Sequence, residues 1–310
     1  MAKLNEKTFG GTMEYINPII RYNENEYGRT ADPYVLRYNN MYYHCYMKRD
    51  GVYITEAKEL WNIGTGKEYK IFDDVPGAKE WFAPELYRIN DTWYIYGAPD
   101  VNGKGLHCMC VLELKGDSPV GRYDNKGMVC GLENRWCIDG TILDYDNKRY
   151  FSWSDCGEIY IAEMDSPYSI KDEIVTIAKC AELDFEKREG RIIEGPAVLK
   201  KGNKIHIAYS VNESKSDEYC MGLLTYCGGD VLDANNWRKS PTAVFEKTDE
   251  VFGPGHCSFT TVNEDGKEID YLVYHANLKS GSGWNGRCVF AQSFKWDEND
   301  MPVFGRPIIR

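Results

Sequence analysis

The chain has 310 residues, 43% of them hydrophobic, and a formal net charge of −11. That length supports one large core or two ordinary domains, and a surface of that sign repels phosphate backbones and anionic lipid, which argues against nucleic acid and membrane surfaces as partners. Neutral substrates such as sugars fit it, and an aromatic share of 14%, with 23 Tyr and 8 Trp, supplies strand formers and flat faces for stacking on sugar rings.

The N-terminal segment from Met1 to Pro18 lacks the apolar run of a signal peptide. No stretch approaches the roughly 18–20 apolar residues that span a bilayer. The 11 Cys form no CxxC pair, and the one close pair, Cys108 and Cys110, is a poor start for a zinc site. Scattered cysteines of this kind read as reduced, buried thiols in a reducing compartment. The expectation is a cytoplasmic protein, or a secreted one if a leader has been removed.

From Ala31 onward one pattern recurs five times. A polar or small residue opens a short apolar strand, a tight turn follows, and a strand dense in Tyr, Trp, Ile and Phe comes next. The copies are ADPYVLRYNNMYYHCYM from Ala31, FAPELYRINDTWYIYGA from Phe82, IDGTILDYDNKRYFSWS from Ile138, EGPAVLKKGNKIHIAYS from Glu194 and GHCSFTTVNEDGKEIDYLVYH from Gly255. Their turns, Asn39-Asn40, Asn90-Asp91, Asp146-Asn147, Gly202-Asn203 and Asp265-Gly266, use residues that tolerate the positive φ of a two-residue hairpin. The second strands alternate with the period of a sheet. A third strand follows each hairpin, for example GVYITEA from Gly51 and GEIYIAEM from Gly157.

Aligned on the turns, the opening positions are Asp32, Ala83, Asp139, Glu194 and His256. They recur about every 55 residues, room for about four short strands, which is the size of a propeller blade. A β-sandwich gives no reason for so constant a step, and a β-helix repeats faster. The expected fold is therefore all-β, a five-bladed β-propeller spanning residues 1–310 as one domain.

The first strand of each blade lines a propeller's central channel, so Asp32, Asp139 and Glu194 are expected to converge there. Three carboxylates at one channel mouth are electrostatically costly and persist where chemistry or a metal needs them. Glycoside hydrolysis has that need. One carboxyl must be protonated to give its proton to the leaving oxygen, and another must be ionised to activate water or attack the sugar.

The ordered set ADPYV, WFAPEL, IDGTI, EGPAVLK and GPGH resembles glycoside hydrolase family 43 over roughly Asn17 to Pro307. The resemblance implies a five-bladed propeller and hydrolysis with inversion. It makes Asp32 the general base, Asp139 the carboxylate that orients the acid and tunes its pKa, and Glu194 the general acid. It places His256 near the channel axis, where a calcium ion is usually held through water, and Arg287 on the bound sugar. It puts an aromatic residue, Trp81 or Phe82, against the sugar. The run Trp-Phe-Ala-Pro-Glu-Leu is one residue longer than the family's usual form, so the sequence leaves open which ring that is. Glu85 lies off the inward position and receives no catalytic role.

The substrate implied is a pentose-containing oligosaccharide, cut by an exo-acting α-L-arabinofuranosidase on arabinan or arabinoxylan oligosaccharides. The alternatives are a β-xylosidase or an endo-arabinanase on the same triad and, more remotely, a non-catalytic carbohydrate-binding propeller. No cofactor is required for the chemistry, and the possible calcium is structural.

Overall fold

The computed structural model describes residues 8–9, 12–13, 17–73 and 79–309, and the remainder of the 1–310 span lies outside the described residues. Four antiparallel sheets of four strands and one of three make up five blades. Blade 1 comprises Tyr34–Tyr38, Met41–Lys48, Gly51–Ala57 and Lys67–Asp73. Blade 2 comprises Lys79–Ile89, Thr92–Asp100, Cys110–Lys115 and Asp124–Met128. Blade 3 runs through Ile138–Tyr145, Lys148–Ser154, Glu158–Ser166 and Ser169–Lys179. Blade 4 holds Ile193–Lys201, Lys204–Val211, Cys220–Tyr226 and Trp237–Lys239. Blade 5 holds Phe252–Glu264, Lys267–Asn277 and Arg287–Ser293. Each blade's first strand packs on that of the next, and the fifth packs back on the first. The protein is a five-bladed β-propeller.

The turns explain the hairpins. In four of them both central residues have positive φ, as a type I′ turn requires. In blade 4 only Gly202 does, the pattern of a type II′ turn. Both types carry the right-handed twist that keeps paired strands together.

The core is divided among the blade junctions. Among the described residues, buried apolar side chains gather in five clusters, each shared by two neighbouring blades. Trp93 and Leu86 of blade 2 meet Ile54 of blade 1. Trp153 of blade 3 meets Tyr96 of blade 2, and Tyr209 of blade 4 meets Ile161 of blade 3. Phe290 and Tyr274 of blade 5 meet Met221 of blade 4. The fifth cluster joins Val273 and Val289 of blade 5 to Val35 and Tyr42 of blade 1, and it also buries Ile20.

Ile20 matters for the closure of the ring. Among the described residues blade 5 has three strands of its own, and Ile20 exchanges both backbone hydrogen bonds with Val289, at 2.9 and 3.2 Å. Asn17 continues the seam with its side chain. Its amide donates to the Ala291 carbonyl and its carbonyl accepts from the Ala291 amide, both at 2.9 Å. Chain from before blade 1 thus fastens the last blade.

One sequence expectation shifts by a residue. The left-handed residues that open the inner strands are Asp32, Ala83, Asp139, Gly195 and His256, with φ between 42° and 59°. In blade 4 the matching position is Gly195, not Glu194. Spacing to the turn agrees: Asn39, Asn90, Asp146 and Gly202 each stand seven positions after Asp32, Ala83, Asp139 and Gly195, and the four later blades share one bulge at this point. Strand pairing slips after Phe82, Ile138, Glu194 and Gly255, in each case the residue just before the left-handed one. Glu194 therefore pairs with Ser210 as an ordinary strand residue, whereas Asp32 and Asp139 sit on the kink itself. Non-glycine residues held there cost about 1–3 kcal/mol each, and such strain gathers at functional sites.

Candidate active site

Asp32 enters from blade 1 and meets three groups from blade 5. Its Oδ1 lies 3.3 Å from His256 Nδ1, 3.5 Å from His275 Nδ1 and 3.5 Å from Arg287 Nη1. The His275 contact is not an ion pair. The backbone amide of Asp32 donates to that same Nδ1 at 3.2 Å, so the nitrogen carries no proton. Burial agrees, pushing the His275 pKa well below its ordinary value. Burial would also raise the pKa of Asp32, but the opposing charges of His256 and Arg287 outweigh it and hold the carboxyl below the usual range. Asp32 is thus biased towards its ionised form.

Asp139 and Glu194 are biased the other way. Asp139 is buried, and its Oδ2 accepts the Gly195 amide at 2.9 Å. Burial raises its pKa, and the charges of Glu194 and Asp32 add to the effect. Glu194 is 9% exposed. Its Oε1 accepts the Tyr219 hydroxyl at 2.7 Å, and the Cys156 thiol stands 3.7 Å from Oε2. Burial again raises its pKa, helped by Asp32 and resisted by His256 and Tyr219. Burial thus raises the pKa of both carboxyls, the direction opposite to that of Asp32.

Gly195 links the two carboxyls. Its left-handed φ of 58° suits glycine and aims its amide at Asp139. A Cβ there would lie 3.1 Å from His256 Cγ. Asp139 thereby anchors the backbone next to Glu194.

His256 is the hub of the charges. Burial disfavours its cation, yet the carboxyls of Asp32, Asp139, Glu194 and Glu85 raise its pKa. Calcium prefers oxygen ligands. Among the described residues no group of three or more His, Cys, Asp or Glu side chains could hold a metal ion. An imidazole that faces Asp32 and favours its cation does not fit the part of a direct calcium ligand.

The two aromatic candidates part company. Trp81 is 1% exposed and packs edge-on against Phe72 at 5.3 Å, so its ring belongs to the core between blades 1 and 2 and is not a sugar platform. The reason is alternation: adjacent strand residues face opposite ways. Phe82 is partly exposed and stacks on His107 at 4.1 Å, and of the two rings it keeps the substrate-facing role as an expectation. Arg287, with 17% of its side chain exposed, reaches the site through Asp32.

Sequence reasoning missed Tyr219, His275 and Cys156. Tyr219 and Cys156 stand at loop ends outside the aligned hairpins, where the repeat carries no signal. His275 lies on a second strand opposite Gly255, and only that glycine hinted at crowding. Glu85 is also near. It is buried, hydrogen-bonded to Tyr87, and pushed up to about 8 by burial.

A propeller axis that gathers one carboxyl of lowered pKa and two of raised pKa has the arrangement that glycoside hydrolysis uses. The chain belongs to the glycosyl hydrolases family 43, which it matches over residues 15–302. It is 31% identical over 304 residues to an "Extracellular exo-alpha-(1->5)-L-arabinofuranosidase" of Streptomyces avermitilis, covering 90% of this chain and 62% of that protein. A relative of the same name from Streptomyces chartreusis is 29% identical, with 84% and 82% covered. The chain therefore spans about three fifths of the length of the Streptomyces avermitilis relative. The crystal structure of an alpha-L-arabinofuranosidase from Lactobacillus brevis superposes with a TM-score of 0.84 at 30% identity, covering 95% of this chain and 97% of that one.

Proposed function

We propose that the protein is an inverting, exo-acting α-L-arabinofuranosidase that removes terminal arabinofuranosyl residues from arabinan or arabinoxylan oligosaccharides. The observation that carries the mechanism is the opposite bias of Asp32 and Glu194. Asp32, held ionised by His256 and Arg287, takes a proton from water as that water attacks the anomeric carbon. Glu194, whose pKa burial raises, gives its proton to the departing oxygen. Asp139 holds the Gly195 amide and keeps Glu194 in place. Phe82 is the ring available to the sugar, and Arg287 can hydrogen-bond it while holding Asp32. The arabinofuranosyl preference is supported by the names of the relatives and of the Lactobacillus brevis structure.

A nitrophenyl panel tests the sugar. The α-L-arabinofuranoside should be cleaved far faster than the β-D-xyloside, and the reverse order would make the protein a β-xylosidase. Proton NMR of the first product from the preferred substrate should show the inverted anomer. Net retention would remove water activation by Asp32.

The compartment follows from weaker support. No described helix is long and apolar enough to cross a membrane, and the two Streptomyces relatives are named as extracellular. All eleven cysteines are free, which favours a reducing compartment and the cytoplasmic reading. Activity found in culture medium rather than in lysate of the producing cells would overturn that reading.

A further inference from the structure

We propose that Tyr219 is a positioning residue that makes Oε2 of Glu194 the oxygen from which the proton is transferred. The inference rests on the reading of Glu194 as general acid.

One hydrogen bond leads to it: the Tyr219 hydroxyl donates its proton to Glu194 Oε1 at 2.7 Å. The carbonyl oxygen of a neutral carboxylic acid accepts better than its hydroxyl oxygen. Oε1 is therefore the carbonyl side, and the acid proton resides on Oε2.

The other oxygen is only weakly held. Its partner is the Cys156 sulfur at 3.7 Å, a soft and poor hydrogen-bonding group. The Oε2 proton is thus free for the leaving oxygen. In the step, the O–H bond on Oε2 breaks as one forms on the leaving oxygen. The glycosidic C–O electron pair stays with that oxygen, and the O–H pair remains on the carboxylate. The new charge is then shared with Oε1, where the Tyr219 bond strengthens.

The ring has no freedom to drift. Tyr219 is fully buried and stacks on His275 at 5.6 Å with 13° between the planes. It also lies flat over Gly255, where a Cβ would fall 2.3 Å from Tyr219 Cε1. Gly255 is thereby given a purpose that hairpin geometry does not supply. The charged and titratable groups facing Glu194 are Asp32, His256, Arg287, Asp139 and Cys156.

Tyr219→Phe keeps the ring and deletes the bond. On methyl α-L-arabinofuranoside, kcat should fall about 10- to 100-fold, the span for one hydrogen bond to a charged group. The alkaline limb of kcat/KM should move up by about one unit, because a donor that stabilised the carboxylate is gone. The 2,4-dinitrophenyl glycoside, whose leaving group needs little protonation, should change little. Gly255→Ala, whose added Cβ would fall 2.3 Å from Tyr219 Cε1 and shift the ring, should give the same pattern, and it decides the matter if Tyr219→Phe does not fold. An unmoved alkaline limb with an equal loss on both glycosides, or no loss, would overturn the proposal. Glu194→Gln run beside it separates the two ideas. Loss in Glu194→Gln with none in Tyr219→Phe sinks only the Tyr219 role, while an unaffected Glu194→Gln sinks the acid itself.

Discussion

Glu194→Gln should lower kcat/KM on arabinobiose and on alkyl arabinofuranosides by about 10²- to 10⁴-fold, the range for removing a positioned general acid. The amide is close in size, and it still accepts from Tyr219, so the fold should persist. The loss must depend on the leaving group. An alkoxide cannot depart unprotonated, whereas a dinitrophenolate can, so the dinitrophenyl glycoside should retain much more of its rate. The pH profile should change as well. In the native enzyme Glu194 must be protonated, its pKa is raised, and activity is lost as pH rises through that value. The variant should lack that alkaline limb. Equal loss on every leaving group would show that Glu194 does something other than donate a proton.

Asp32→Asn should be comparably severe, about 10²- to 10⁴-fold, but without regard to the leaving group. The amide cannot take a proton from water, and water is common to all the substrates. Asp32 must be ionised to act, and its pKa is lowered, so the native enzyme should lose activity only as pH falls below the ordinary carboxylate range. The acidic limb should vanish in the variant. Azide offers a check by rescue, since it attacks the anomeric carbon without a base. The C–N bond forms as the glycosidic C–O bond breaks, Glu194 protonates the departing oxygen, and the product is the inverted glycosyl azide. Retained native activity in Asp32→Asn would remove the residue from the chemistry.

The two profiles together define a bell. Its acidic side belongs to a carboxyl whose pKa His256 and Arg287 lower, and its alkaline side to one whose pKa burial raises. Two chemically similar groups acquire opposite duties from position alone.

The propeller was legible because each blade repeats its own hairpin. Turn residues such as Asn39-Asn40 and Asp146-Asn147 need left-handed backbone, so they announce themselves in sequence. The convergence of Asp32 and Asp139 followed, since matching positions of a ring share a depth. The same alignment, drawn to the carboxylate, misplaced Glu194 by one residue. Seven positions separate kink from turn in blades 1 to 4, so a strict count lands on Gly195, and Glu194 stands one residue before the kink. Nor could the count choose between Trp81 and Phe82, because period-2 alternation settles which of two adjacent rings is inward only when the register is known. Tyr219, Cys156 and His275 were invisible for another reason. Cys156 and His275 act through contacts between blades, and Tyr219 reaches Glu194 from the loop before the third strand of its own blade; no spacing within the hairpins encodes any of these. Gly255 is the case in which cause and sign were farthest apart: an absent side chain on blade 5 makes room for a ring that holds an acid on blade 4.

The seam between Ile20 and Val289 carries a consequence for how the enzyme fails. Asp32 belongs to the first blade, while His256 and Arg287 belong to the last, so base and counter-charges stand on opposite sides of that seam. The two blades are also joined directly, by Ser258 to Val35 and Pro33, by Tyr42 to Thr261 and by the Arg37–Glu268 ion pair, beside the Asn17 side chain and one apolar cluster. A gap opening there would strip the anion of its partners while every sheet stayed intact. The closure of the ring is thus also what keeps the anion beside its counter-charges, so a substitution that loosens it should reduce activity before it unfolds a sheet.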